Sequence, residues 1–404
     1  MNHPEPGNST CTSKKWWAIF TIFLRLGCTS FGGPIAHLGY FRHEFVEKRR
    51  WLDAKKYADL VALCQFLPGP ASSQVGIALG LTRAGIPGAM AAFLGFTLPS
   101  AICLVLFGLL YVQVNSSWGS AWLHGLKLVS VAVVAQALWV MGKSFSSGWI
   151  RFMITLLAAV VVIILPPAIG QVIVIVLAGL IGMFFLRTSQ AAVTHEIDIS
   201  ISKNTGIVAL ILFFTLLICL PFVAKTAQSY PVTLFDNFYR TGAMVFGGGH
   251  VVLPLLESQV LAHGWVSKAT FLTGYGATQA MPGPLFTFAA FLGAVSTQNP
   301  AGWLGAAIAL CAIFLPAFLL VIGALPFWEQ LRHQRQLKNA LSGINAAVVG
   351  LLLAAFYDPV WTNAIHNRTD LFVAAAALGM LTVAKLPAWL TVIITVVFSG
   401  IFLA

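Results

Sequence analysis

Apolar stretches of membrane-spanning character recur along the chain, at residues 150–165, 172–186, 207–223 and 386–404. A hydrocarbon core of about 30 Å takes about 20 residues at 1.5 Å each, so these stretches predict helices that cross a bilayer. In the first half the pattern predicts a helix from Trp16 broken at Gly32-Gly33, a short amphipathic return, and two short helices meeting at Pro68-Gly69-Pro70. Four ordinary spans follow, near 88–114, 122–142, 150–165 and 172–186. The apolar runs flanking Pro68-Gly69-Pro70, at 57–67 and 71–81, are too short to cross, which predicts half-helices or a re-entrant pair.

The second half repeats this plan. Phe23-Leu-Arg-Leu-Gly-Cys-Thr-Ser-Phe-Gly-Gly33 returns as Phe238-Tyr-Arg-Thr-Gly-Ala-Met-Val-Phe-Gly-Gly248, with Phe, Arg, Gly, Phe, Gly and Gly in register. Gln65-Phe-Leu-Pro-Gly-Pro70 returns as Gln279-Ala-Met-Pro-Gly-Pro284, and Gly125-Leu126 as Gly343-Ile344. The division expected is a cytoplasmic tail at 1–15, a repeat at 16–187, a linker at 188–230 and a second repeat at 231–404. The linker carries an unmatched apolar helix at 206–224. Arg25 interrupts the first apolar run and its match Arg240 lies mid-chain, so the first helix belongs to the fold and is not a cleaved signal.

Composition agrees: 58% hydrophobic and 9% charged residues cannot cover a water-soluble globule. The net charge of +11 sits in connections at the membrane edge, so topology explains it and no nucleic-acid partner is expected. Residues 42–56 carry Arg42, Lys48, Arg49, Arg50, Lys55 and Lys56, whereas the matching connection at 257–270 has only Lys268. Conversely 113–121 is uncharged, whereas its match at 328–339 holds Arg332, Arg335 and Lys338. Basic connections favour the cytoplasm, so the halves are predicted to be inverted copies, with the 206–224 helix carrying the chain across once between them. The predicted fold class is therefore an all-α polytopic membrane protein of two inverted-topology repeats with broken or re-entrant half-helices and one central linking helix. The N-terminus is expected in the cytoplasm and the C-terminus in the periplasm.

Breaks inside a membrane are costly unless the freed backbone groups face protein, ligand or water, so two matched breaks are expected to line one cavity. Proline lacks an N–H and glycine permits unusual backbone angles, so Pro68-Gly69-Pro70 and Pro282-Gly283-Pro284 each stop one helix and start another. Gly32-Gly33-Pro34 and Gly247-Gly248-Gly249 are expected to do the same. Helix starts offer free N–H groups and a positive dipole end to an anion, with the hydroxyls of Ser30, Ser72, Ser73 and Thr287 as further donors. Arg25 and Arg240, read as having no acidic residue nearby in sequence, add rigid forks suited to oxyanions; snorkelling to headgroups or bonding to carbonyls of the broken helix is the alternative role. Gln65 and Gln279 precede the breaks as candidate amide donors, equally suited to bonding between helices. Lys127 and His250 are candidate gating or coupling residues, against structural roles.

No catalytic constellation stands out: HExxH, GxSxG, clustered His and Cys ligands and paired intramembrane carboxylates are all missing from the sequence. No enzyme activity, metal or cofactor is expected. The combination of Gly27 to Pro34, Gln65 to Pro70, Phe246 to Gly249 and Met281-Pro282-Gly283-Pro284 resembles the chromate ion transporter family in its long, two-domain bacterial form, across nearly the whole chain. That resemblance implies an inner-membrane protein that expels chromate, confers resistance to it, and meets sulfate as an analogue. The second copy departs from the first at Val245 for Ser30 and Gly249 for Pro34, so the two halves are not expected to contribute equally. A dianion leaving a negative interior gains roughly 2.3 kcal/mol per charge per 100 mV, so no ATPase partner is expected. A carrier of sulfate or another oxyanion, and a scaffold or lipid-handling protein whose arginines meet headgroups, remain the alternatives. Monomer and homodimer are both left open.

Overall fold

The computed structural model describes residues 9–114, 120–165, 167–187 and 201–402. Most of the expected tail, the core of the uncharged connection at 113–121 and most of the polar linker at 188–200 lie outside the described residues. Every regular element among the described residues is helical. In the first half, α1 (Ser9–Thr29) and α2 (Gly33–Arg42) are separated by the glycine break, and α3 (Ala54–Phe66) and α4 (Ala71–Val114) by Pro-Gly-Pro. Helix α4 is folded on itself: Ala84 and Gly85 leave helical geometry and divide it into a half-helix at 71–83 and a span at 86–114. The arms meet closely, since a Cβ on Gly80 would lie 2.2 Å from the Gly88 carbonyl oxygen.

Helices α5 (Ser120–Phe145), α6 (Trp149–Ile164) and α7 (Pro167–Phe185) complete this half, and α8 (Lys203–Ala227) is the unmatched linking helix. The second half runs through α9 (Tyr230–Met244), α10 (Val252–Ala262), α11 (Lys268–Gln279), α12 (Phe288–Ala294) and α13 (Gly302–Ala324). It ends with the short α14 (Trp328–Arg332), α15 (Arg335–Ala355), the single turn α16 (Thr362–Ala364), α17 (Arg368–Thr382) and α18 (Ala388–Phe402). Among the described residues five helices are long and apolar enough to cross a membrane, Ala71–Gln113, Ala121–Phe145, Lys203–Ala227, Gly302–Arg332 and Arg335–Ala364. The chain is an all-α polytopic membrane protein. Only 17% of the α8 window is buried against 67% of the Gly302–Arg332 window, so α8 stands at the perimeter with Ile211 and Phe222 facing outward.

The short helices approach the middle from opposite ends. At one end gather the basic segments: Arg332 lies 3.7 Å from Asp59, and the Arg83 guanidinium sits over Trp51 at 4.8 Å. Burial opposes the charge of Glu44 there, but the Arg49 bond at 2.7 Å and Lys48 at 3.5 Å outweigh it and hold the carboxyl below its ordinary range. The Asp53 side chain caps α3 by accepting from the backbone N–H groups of Lys55 and Lys56. Helix α1 begins at this end, beside Trp51, and runs inward. Helix α9 begins at the other end, where the Tyr230 hydroxyl donates to Ser296, and also runs inward. Tyr111 and Thr270 share a hydrogen bond at 3.1 Å at that second end, joining the segments with few charges.

The halves interlock. Helix α15 of the second half packs on α6 and α7 of the first, and α5 of the first packs on α17 and α18 of the second. The matched glycines Gly125 and Gly343 mark these crossings: a Cβ on Gly125 would lie 2.9 Å from the Ser399 side chain, and one on Gly343 would lie 2.1 Å from the Ala178 carbonyl oxygen. Near the second end His124 Nε2 lies 2.7 Å from Asp370 Oδ1, pinning α5 to α17. Because backbone cannot yield as a side chain does, Gly343→Ala is expected to destabilise the protein by about 3 kcal/mol, the upper part of the range for overpacking. Gly142→Ala, which meets nothing within 4 Å, should leave stability unchanged or slightly raised. Thermal unfolding of the two purified variants in detergent checks both.

Candidate functional site

All four breaks converge, and they are joined by a reciprocal pair of backbone hydrogen bonds. The Gly69 N–H donates to the Val245 carbonyl at 2.7 Å, and the Gly283 N–H donates to the Ser30 carbonyl at 2.9 Å. Val245 is the register match of Ser30 and Gly283 of Gly69, so each Pro-Gly-Pro break is held by the glycine break of the other half. The glycine breaks also touch, since a Cβ on Gly249 would lie 3.1 Å from the Pro34 ring and from Leu285. Gly69 and Gly283 have φ values of 125° and 98°, a region that side chains disfavour, and this turns their N–H groups across the gap. Without this exchange four helix ends would leave backbone groups unsatisfied inside a membrane.

Polar side chains collect around the crossing. His37, on α2, is buried with Nε2 3.2 Å from the Ser30 carbonyl oxygen and Nδ1 3.3 Å from Ser72 Oγ. A carbonyl can only accept, so Nε2 carries a proton, and in the neutral ring Nδ1 accepts from the Ser72 hydroxyl. The Phe96 ring, on α4, meets the imidazole edge-on at 5.2 Å, and Ser100 of the same helix stands 2.8 Å from where a Gly283 Cβ would be. Ser30 Oγ, Ser73 Oγ, Thr97 Oγ1 and Gln279 Nε2 are buried donors without a hydrogen-bond partner among the described residues, and Gln74 Oε1 is an acceptor in the same condition. The other end of Gln74 is occupied, because its Nε2 donates to the Pro68 carbonyl at 2.8 Å. Buried donors without partners are rare in folded proteins, and a cluster of them beside two helix starts is an arrangement that can receive an anion.

Several expectations are corrected. Ser72 is engaged by His37, and Thr287 donates to the Pro284 carbonyl of its own turn at 2.6 Å, so neither hydroxyl is free. Gln65 is exposed on α3, unlike its buried match Gln279. Arg240 does have a carboxylate partner: its Nε and Nη2 donate to Asp236 at 3.0 Å and 2.8 Å, and Nη2 also donates to Asn237 Oδ1. Asp236 stands one turn earlier on α9, where the i, i+4 spacing brings the two together. Arg25 is exposed on α1 and not buried, and no hydrogen bond or ion pair joins its guanidinium to a described residue. The two arginines nevertheless share one register, each five residues before the carbonyl, Ser30 or Val245, that holds the opposite break (30 − 25 = 245 − 240 = 5). At about 1.5 Å per residue that puts each about 7.5 Å along its helix from the crossing.

Gly32, Gly33, Gly247 and Gly248 all have positive φ, and Gly247 faces Asn345 of α15, the match of Lys127. Lys127 itself stands on α5 one turn after His124, within electrostatic range of Asp370. His250 Nδ1 lies 2.9 Å from the Tyr275 hydroxyl. Thr97, Ser100 and Gln74 escaped the sequence reading because they lie inside apolar helices with no break to mark them.

Half-helices from both ends that exchange hydrogen bonds where they meet define a class, that of polytopic carriers with discontinuous helices at the centre. Within it, the profile of the chromate transporter family matches residues 17–183 and 232–401. The chain belongs to the chromate transporter family. It is 27% identical over 395 residues to a chromate transport protein of Pseudomonas aeruginosa, covering 95% of this chain and 90% of that one. It is 25% identical over 400 residues to a chromate transport protein of Cupriavidus metallidurans, covering 96% and 93%. An uncharacterized transporter of Methanocaldococcus jannaschii is 29% identical over 345 residues, covering 83% and 82%. No solved structure matches the chain.

Proposed function

We propose that the protein exports chromate from the cytoplasm across a bacterial inner membrane and so protects the cell, with the anion received where the two pairs of broken helices cross. The observation that carries this is the reciprocal bonding of Gly69 to Val245 and Gly283 to Ser30, with the unpartnered donors Ser30 Oγ, Ser73 Oγ, Thr97 Oγ1 and Gln279 Nε2 around it. Family membership supports chromate as the substrate. The donor set suits a tetrahedral oxyanion, and sulfate, of the same charge and shape, is expected to compete.

The basic end, with Arg42, Arg49, Arg332 and their neighbours, faces the cytoplasm in this proposal and raises the local concentration of the anion. The two halves then act as inverted repeats, and access alternates as one rocks against the other. The membrane potential supplies the driving force, roughly 4.6 kcal/mol per dianion at 100 mV. Counterflow of labelled chromate in proteoliposomes tests the proposal. Saturable exchange, inhibited by sulfate and accelerated by a potential negative on the side of the basic connections, is expected. Flux that fails to saturate, or that ignores the potential, would overturn it.

A further inference from the structure

The two arginines flanking the crossing are related by the repeat yet stand in opposite electrostatic conditions, and one residue sets the difference in charge. Four positions before Arg240 is Asp236; four positions before Arg25 is Thr21. Asp236 is 2% exposed and holds the Arg240 guanidinium through Nε and Nη2. The Nη1 group of Arg240 has no bond to a described residue, and beside it the amide nitrogen of Asn237 is buried and unpartnered. Helix α1 contains no acidic residue, and Thr21 donates only to the Ala18 carbonyl of its own helix. One half therefore carries an exposed arginine with no counter-ion among the described residues, and the other a neutralised pair with two donors still open.

We propose that Asp236 is an internal counter-anion that tunes binding and release of the transported oxyanion: it occupies the face of Arg240 that a substrate oxygen would otherwise take. This rests on the crossing being the anion site. A carboxylate and a dianion compete for the same fork, because both accept two parallel N–H bonds in one plane. With Asp236 in place, Arg240 offers the substrate only its remaining nitrogen and the Asn237 amide, and the nearby negative charge weakens the hold. An unopposed guanidinium on both sides would bind a dianion more tightly and let it go more slowly. The asymmetry therefore makes Arg25 the stronger contact and Arg240 the weaker one.

The test is the concentration dependence of chromate exchange in proteoliposomes for Asp236→Asn, Asp236→Glu and Thr21→Asp, with Arg240→Ala in parallel. Asp236→Asn should lower KM about tenfold and lower the maximal rate, and Asp236→Glu should restore values near the parent. Thr21→Asp puts the same counter-anion beside Arg25 at an exposed position, and should raise KM about tenfold in a protein that folds normally. That variant keeps the idea open to refutation even where Asp236→Asn fails to accumulate. Unchanged KM in Thr21→Asp, with Asp236→Asn either unchanged or merely less abundant, reduces the pair to a structural bridge and overturns the proposal. Should Arg240→Ala exchange chromate as the parent does, the anion site itself is misplaced, an outcome distinct from failure of the counter-anion alone.

Discussion

Gly283→Ala is expected to abolish chromate exchange while the protein still inserts and purifies. Its φ of 98° is a conformation in which a side chain costs about 1–2 kcal/mol. The new methyl group would also lie 2.8 Å from Ser100 Oγ and 3.2 Å from the Phe96 carbonyl, so α4 or the break has to move. Either movement lengthens the Gly283 bond to Ser30 and displaces Ser30, on whose carbonyl His37 also rests. Gly69→Ala should behave alike, with φ 125° and a Gln74 amide 2.9 Å away. Gly33→Ala grades the argument: its φ is 77° but nothing lies within 4 Å, so it carries backbone strain alone and should only reduce exchange. Initial rates normalised to reconstituted protein check the order.

Arg25→Ala should lower chromate exchange by about 10- to 150-fold, the equivalent of losing roughly 1.5–3 kcal/mol of hydrogen bonding to a charged group. The guanidinium is exposed and has no ion-pair partner among the described residues, so its removal leaves no orphaned carboxylate and the fold should be untouched. Arg240→Ala differs in kind, because it strands Asp236 in a site that is 2% exposed. Loss of stability is therefore expected with Arg240→Ala and not with Arg25→Ala, and thermal unfolding beside the flux assay separates the two effects. Parent-like exchange by Arg25→Ala would remove this arginine from the path.

The breaks themselves were legible because glycine and proline have a local meaning that the membrane amplifies. The half-helices at 57–67 and 71–81 correspond to α3 and the first arm of α4, and the unmatched apolar run at 206–224 is the heart of α8. What the breaks do to one another was less accessible. Ser30 meets Gly283 and Gly69 meets Val245 across long stretches of chain, and nothing in the repeat alone says that each break closes on the other half and not on its own. His37 has no register match, so its link between Ser30 and Ser72 carried no signal of pattern. Asp236 was within reach, one helical turn from Arg240, yet counts for little in a search for basic residues in apolar surroundings. The glycines Gly125 and Gly343 read as a match without a purpose until the interlocked packing of α5 and α15 supplied one.

Anomalous diffraction from crystals of the protein grown with selenate, a heavier tetrahedral dianion, tests the crossing most directly. Transport through it predicts one selenium peak at mid-depth, within about 4 Å of the Ser30 and Ser73 hydroxyls, a hydrogen-bond length plus the Se–O bond. Peaks confined to the basic connections at 42–56 and 328–339, with none between the Gly69 and Gly283 breaks, would contradict it.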